Sequence, residues 1–147
     1  MRHRGTFLGL LLLLVAGGVH ADGPSINASH VWIREAAPGT EVMTGYLMFS
    51  NQSSRALTLD RITSPDFGEV RLQPGVLQDV KASAQAVKAL ALPAHASVTL
   101  GVGGDHLVLM HPVKTFHVGD FITLTLTFSD GSSLTIMAPV RRSPPPH

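Results

Sequence analysis

Apolar and polar residues alternate with a period of two from Ser29 onward, and turn-forming residues interrupt the alternation about every eight to twelve positions. Such a pattern is typical of short strands that bury one face in a β-sandwich or barrel. We therefore predict an all-β fold, a cupredoxin-like or immunoglobulin-like antiparallel β-sandwich of about nine short strands. The predicted strands are His30–Arg34, Thr44–Ser50, Ala56–Ile62, Glu69–Gln73, Ala86–Leu92, Val98–Val102, His106–Met110, Phe121–Phe128 and Ser133–Val140.

The clearest strand is Phe121–Phe128, in which Ile122, Leu124 and Leu126 fall on one face. The Asp130-Gly131 pair that follows it predicts a hairpin turn. The segment Leu77–Lys88 has irregular apolar spacing and is expected to form a single helical turn at most.

The first 21 residues have the layout of a secretory signal peptide. Arg2 and Arg4 precede the apolar run Phe7–Val15, and small residues lead to Ala21. These are the three parts of such a signal, and the apolar run is shorter than the ~20 residues that a membrane span needs. We expect cleavage after Ala21, export to the periplasm and no stable membrane insertion afterwards.

The rest of the chain is predicted to form one domain, residues 22–140, followed by a proline-rich tail, residues 141–147, that is disordered or extended. Loss of Arg2 and Arg4 lowers Lys+Arg from 11 to 9 against 10 Asp+Glu, so the net charge changes from +1 to −1. A nucleic-acid partner is not expected, because phosphate neutralisation needs a clustered basic surface.

The sequence contains no cysteine. This absence excludes disulfides, thiolate zinc sites, iron–sulfur clusters and cysteine nucleophiles. With no cysteine after the apolar run, we expect no lipid anchor either. An exported domain of this kind must be held together by packing alone.

Histidine and methionine supply the candidate metal ligands. Six histidines remain after cleavage: His30, His95, His106, His111, His117 and His147. His106, Val108 and Met110 alternate along one predicted strand and so share a face, with His106 and Met110 about 13 Å apart along it. His106 could be a ligand, or it could simply end a strand and form a local hydrogen bond. His95, His111 and His117 lie at turns, where exposure is expected.

Catalytic motifs are missing from the sequence. It has no G-x-S-x-G nucleophile motif, and Gly101–Gly104 is not followed by the Lys-Ser/Thr pair of a phosphate-binding loop. Acidic residues occur singly, which gives no support to hydrolysis by paired carboxylates. We therefore predict that the protein is not an enzyme.

Five sequence blocks follow one another in a characteristic order: Val31–Arg34, Gly45–Leu47 leading to Asn51, Leu90–Ala94, Gly103–Met110, and Val118–Asp120 leading to Leu124–Phe128. Together they resemble the periplasmic copper chaperone family PCu(A)C, also written PCuAC. The resemblance covers about Ser29–Val140 and implies a cupredoxin-type sandwich that carries Cu(I) toward the dinuclear centre of cytochrome oxidase. The implied partner is therefore a copper acceptor such as a cytochrome oxidase subunit.

The same resemblance implies a set of copper ligands. The family pattern is His, ten residues, Met, twenty-one residues, His, one residue, Met. Aligned on His106, its four positions fall without gaps on Gln73, Ala84, His106 and Val108. Only His106 keeps the family's residue type, so the usual site of two imidazoles and two thioethers cannot form from these residues.

The sequence leaves three functions open. In the first, copper, as Cu(I) or Cu(II), is bound by His106 with substitute ligands such as Met110 on the same face. Cleavage after Val19 would make His20 the amino terminus, and its amine and ring could chelate Cu(II) together with His106. In the second, the domain has lost its metal and binds or assembles a partner protein, as the apolar Ala84 and Val108 favour. In the third, a braced copper performs oxidation, for which the sequence gives almost no support.

Overall fold

The structure, a computed structural model, describes residues 25–75 and 89–146. These residues form nine strands and no helix. The all-β prediction is therefore confirmed. The strands are β1 (Ile26–Arg34), β2 (Met43–Asn51), β3 (Leu57–Thr63), β4 (Phe67–Gln73), β5 (Leu90–Leu92), β6 (Ser97–Leu100), β7 (His106–Pro112), β8 (Phe121–Phe128) and β9 (Ser133–Arg141).

The strands follow one continuous hydrogen-bonded path that curls into a barrel-like sandwich. The order is β4-β7-β2-β1-β9-β8-β3-β5, with β6 paired to β2 beside this path. All pairs are antiparallel except β1 with β9, which run parallel through Ile33 opposite Val140 and Arg34 opposite Arg141. This short parallel contact joins the sheet β4-β7-β2-β1 to the sheet β9-β8-β3-β5.

β6 and β7 lie end to end along the same edge of β2. β7 pairs with Met43–Gly45, and β6 pairs with Leu47–Ser50. Residues 101–105 leave this edge between the two strands and return to it at His106. The loop therefore delivers His106 to the sheet at the level of Tyr46.

The core lies between the inner faces of the two sheets. β8 contributes the face predicted from its alternation, and Ile122, Leu124 and Leu126 are fully buried. β2 and β7 contribute alternate residues in the same way. The core members from β2 and β7 are Met43, Leu47, Phe49, Leu107 and Leu109.

A β-bulge in β1 decides which way Trp32 points. Ser29 pairs with Met48 and Trp32 with Tyr46, so two residues of β1, His30 and Val31, lie opposite one residue of β2. His30 has a left-handed φ of 52°, and a bulge of this kind reverses the side-chain alternation beyond it. Residues at even positions face the core before the bulge, and residues at odd positions face it afterwards, so Trp32 lies on the outer face.

Asn51, at the end of β2, is a buried polar residue with a structural role. It is 1% exposed, and its Nδ2 donates to the carbonyl oxygens of Arg55 at 2.8 Å and Leu92 at 2.9 Å. Its Oδ1 accepts hydrogen bonds from the Ser53 backbone N–H and hydroxyl. Because all these polar groups are paired, Asn51 fixes the β2–β3 connection against β5.

The block Val118–Asp120 is also structural. Gly119 has a φ of 98°, which favours glycine. The Asp120 carboxylate accepts the backbone N–H of His117 at 2.8 Å, and its carbonyl accepts that of Val140 at 2.9 Å. This turn therefore positions the start of β8 against β9.

The strand boundaries differ from the predicted ones mainly at β1 and β5. β1 starts at Ile26 and not at His30, because the bulge hides the alternation of its first half. β5 covers Leu90–Leu92. Residues 86–88 of the predicted strand, the segment Leu77–Lys88 and the predicted signal peptide lie outside the described residues. Among the described residues, no helix has the length and hydropathy needed to cross a bilayer.

Candidate metal centre

Four strands bring one side chain each into a row across the outer face of the sheet. Trp32 of β1 pairs with Tyr46 of β2, and Gln73 of β4 pairs with His106 of β7. The ring centres are 4.7 Å apart between Trp32 and Tyr46 and 6.4 Å apart between Tyr46 and His106. We call Trp32, Tyr46, His106 and Gln73 the outer row.

The aromatic half of the outer row is well packed although it lies outside the main core. Trp32 is 4% exposed and Tyr46 9% exposed. The guanidinium of Arg34 lies 5.5 Å from the centre of the Trp32 ring, a cation–π geometry. Arg34 Nε is buried and has no hydrogen-bond partner among the described residues. The aromatic contact therefore accounts for its position better than an ion pair does.

The imidazole of His106 is oriented by its own loop. Its Nδ1 lies 2.9 Å from the carbonyl oxygen of Gly104. A carbonyl oxygen only accepts, so Nδ1 carries the proton and the neutral ring keeps its lone pair on Nε2. Metal-binding histidines are commonly held in this way, with one nitrogen bonded to a carbonyl and the other free to bind.

Gly75, just after β4, is required by a close approach of its backbone to the loop before His106. A Cβ on Gly75 would lie 2.9 Å from the backbone of Gly104, which is too close for any other residue without a shift. The Gly75 N–H also donates to the Asp105 carboxylate at 3.0 Å. Residues 103–105 therefore anchor the end of β4 beside His106 and set the distance between the strands that carry Gln73 and His106.

The structure brings together three of the four positions of the family's copper pattern. Gln73 lies directly opposite His106, and Val108 follows two residues later on the same face of β7, opposite Arg71. Val108 is 9% exposed and does not belong to the main core. Ala84 lies outside the described residues. The spacing of the pattern thus places Gln73, His106 and Val108 together, while only His106 has the family's residue type.

The other predicted ligands fall elsewhere. Met110 shares the outer face with His106 but lies opposite Glu69, four residues further along β7, with Val108 between them. His20 lies outside the described residues. His95, His111 and His117 are exposed, as expected.

One candidate ligand, Met48, is missed by reasoning along single strands. Met48 is the next outward residue of β2 after Tyr46 and is half-buried. It lies opposite Ser29 on one side and Thr99 of β6 on the other. Only the strand register reveals that it neighbours His106 diagonally.

The donors on the outer face suit a soft metal ion better than a hard one. They are one imidazole nitrogen, the thioethers of Met48 and Met110, and the amide of Gln73. The Glu69 carboxylate also lies on this face, opposite Met110, and is paired with Arg71. Imidazole and thioether ligands favour copper, and thioethers favour Cu(I) in particular. The described residues contain no group of three His, Asp or Glu side chains that could hold a metal ion, so a harder ion has no site of that kind among them.

The fold defines the class of the protein as a PCuAC-type β-domain. The copper-bound PCuAC domain from PmoF2 matches with a TM-score of 0.69 and 28% identity, over 81% of this chain and 94% of that domain. The apo PCuAC domain from PmoF1 matches in fold, with a TM-score of 0.72 and 24% identity, over 83% of this chain and 98% of that domain. The resemblance predicted from the sequence blocks is confirmed.

Within this class the family is defined more narrowly. A sequence profile described as "Putative lipoprotein LpqE-like" matches residues 26–140, and the chain belongs to this LpqE-like family. A relative from Leifsonia xyli subsp. xyli, named "Putative lipoprotein Lxx21020", is 29% identical over 125 residues, covering 84% of this chain and 73% of the relative. Both names describe lipoproteins, whereas this sequence contains no cysteine.

Proposed function

We propose that this protein binds copper on the outer face of the sheet β4-β7-β2-β1, with Nε2 of His106 as the central ligand. The observation that carries the proposal is the hydrogen bond from His106 Nδ1 to Gly104, which leaves Nε2 available beside Tyr46 and Gln73. The similarity to a copper-bound PCuAC domain supports the choice of metal.

The copper is cargo in this proposal. An imidazole with one or two thioethers forms a site of low coordination number, from which a partner with more ligands can take the ion. The protein would act in the periplasm, after removal of its signal peptide, and pass copper to an acceptor such as a cytochrome oxidase subunit. It performs no catalysis of its own.

The residues that share the outer face with His106 are the candidates for the second copper ligand. Met110 is the thioether that the sequence predicts, and it lies on the same strand as His106. If the mature chain begins at His20, its amine and ring would add a Cu(II) site that needs no thioether. These two arrangements differ in the oxidation state they favour, because thioethers prefer Cu(I).

The test is a titration of Cu(I) and Cu(II) into protein secreted and processed by its own host, with the amino terminus read by intact mass. The chain has one tryptophan, and it lies in the outer row, so quenching of Trp32 fluorescence reports binding there directly. Competition with a chelator of known affinity gives the dissociation constant.

His106→Gln is the decisive variant, and His117→Gln is its matched control. His117 is exposed and lies near Glu35, away from the outer row. We expect one tight equivalent of copper that His106→Gln weakens by about tenfold or more and that His117→Gln leaves unchanged. Equal binding by all three proteins, or no binding by any, would contradict the proposal. The absence of binding would favour the metal-free, partner-binding alternative.

A further inference from the structure

We propose that Met48 of β2 supplies the thioether that binds Cu(I) beside His106. It would replace the methionine that the family pattern has at position 108, where this chain has Val108. This inference rests on the proposed copper function and assigns a ligand from a strand outside the family's pattern.

The strand register places Met48 one diagonal step from His106. Gly45 pairs with Leu107, so Tyr46 lies at the level of His106 and Met48 is the next outward residue of β2. Diagonal neighbours on one face have Cβ atoms about 7–8 Å apart, a distance that long side chains bridge. The loop 101–105 leaves the edge of β2 between β6 and β7, so no strand residue stands between Met48 and His106.

The surroundings of Met48 leave its side chain free to reach His106. Its direct neighbours on the adjacent strands are Ser29 and Thr99, both small and polar. Met48 is half-buried, yet it is absent from the partly buried residues that pack against the main core. A methionine has three rotatable bonds and adapts its sulfur position readily. Met48 therefore has the reach for a ligand and little role in the core.

Met110 is placed less favourably on the same face. It lies four residues from His106 along β7, about 13 Å at the usual rise per residue. Val108 fills the position between them and is nearly buried. For one ion to contact both His106 and Met110, the strand would have to bend or both side chains would have to extend over Val108. Met48 needs neither.

The matched pair of variants is Met48→Leu and Met110→Leu. Both remove one thioether from the same face and preserve side-chain volume, so both are expected to fold. We expect Met48→Leu to weaken Cu(I) binding by about tenfold or more, since loss of even a hydrogen-bond partner of a metal ligand costs about 10–100-fold. Met110→Leu should change it by less than about twofold, and Met48→Leu should leave any Cu(II) binding unchanged.

A direct measurement on the unaltered chain makes the inference independent of the variants. With ¹³C-methyl methionine labelling, addition of Cu(I) should shift the Met48 methyl resonance strongly and the Met110 and Met137 resonances little. The Met48 shift should disappear in His106→Gln.

The possible outcomes test the Met48 assignment and the copper-binding proposal separately. If His106→Gln weakens Cu(I) binding while Met48→Leu does not and the Met48 methyl does not shift, the Met48 assignment is overturned and the copper proposal stands. A methyl shift at Met110 with loss of affinity in Met110→Leu overturns it in favour of Met110. If neither His106→Gln nor Met48→Leu affects copper, both proposals fail.

Discussion

The two faces of the sheet β4-β7-β2-β1 are built from alternating residues of the same strands, yet they differ in kind. The inner face is apolar apart from Asn51 at the end of β2, and Leu107 and Leu109 are fully buried in it. The outer face mixes aromatic, cationic, thioether and amide side chains around His106. The inner face needs only apolar groups of suitable volume, whereas each outer position depends on its particular neighbour across the strand. The fold and the candidate site are thus separable features of one sheet.

The largest effect that tests this difference comes from two adjacent residues of β7. Leu107→Ala removes three carbons from a closed core and should lower the free energy of unfolding by about 2–5 kcal/mol. Val108→Ala removes two carbons on the outer face, where the long side chain of Arg71, directly opposite, can close over the gap, and should cost only about 1 kcal/mol. Chemical denaturation of both variants measures the difference.

Measuring copper affinity adds a second test to the comparison of Leu107→Ala with Val108→Ala. Val108→Ala should keep copper binding within about twofold of the unaltered chain, because Val108 offers no ligand atom. Equal destabilisation by the two variants would contradict the distinction between a core face and a site face.

A smaller effect is expected at the bulge that turns Trp32 outward. His30 holds a left-handed φ of 52°, which is unfavourable for a residue with a Cβ. His30→Gly should raise the free energy of unfolding by about 0.5–1 kcal/mol, after the greater flexibility of glycine in the unfolded chain is offset. Thermal unfolding measures this gain, and Trp32 fluorescence shows whether the ring keeps its place.

Asn27→Gly is the control for that variant. Asn27 is an exposed residue of the same strand and is not among the residues with a positive φ. Glycine there should therefore lower stability by about 0.5–1 kcal/mol. Destabilisation by both substitutions would mean that His30 is not strained in the folded protein.

The sequence predicts the inner face far better than the outer one. Strand alternation identifies β8 and its buried face because that signal is contained within eight consecutive residues. The outer row joins residues 32, 46, 73 and 106 from four strands, so it depends on pairings that alternation does not specify. Extrapolating the alternation of Ile26 and Ala28 would even place Trp32 in the core, since the bulge reverses it.

The candidate ligands show the same limit. The family pattern leads to Gln73, His106 and Val108 through their spacing, and the structure places all three on one face. Met110 is visible from the sequence because it lies on the strand of His106. Met48 cannot be identified from the sequence in this way, because its proximity to His106 depends on the register of β2 against β7 and β6.

The smallest expected effect lies away from the outer face, at the carboxylate that ties the end of β1 to the segments before β8 and after β9. Glu35 accepts the backbone N–H of Val118 at 2.8 Å and pairs with Arg142 Nε at 3.1 Å. The hydrogen bond from Val118, followed by that from Arg142, holds the pKa of Glu35 below its ordinary value of 4.5. A lowered pKa in the folded state means that ionised Glu35 stabilises the protein above pH 4.5, and this contribution is lost as the pH falls through the folded pKa.

Glu35→Gln therefore should reduce stability at pH 7, and its difference from the unaltered chain should shrink as the pH is lowered through and below 4.5. Glu41→Gln, in the neighbouring loop, is the matched control, because no hydrogen bond or ion pair within the described residues uses its carboxylate. Thermal unfolding between pH 3 and 7 measures both variants.

Copper binding at the outer row should be the same in Glu35→Gln and the unaltered chain at neutral pH, since Glu35 follows the last residue of β1 and lies outside the outer row. A loss of copper binding in Glu35→Gln would show that this end of the sheet and the outer row are coupled. That result would contradict the conclusion that the fold and the candidate site are separable.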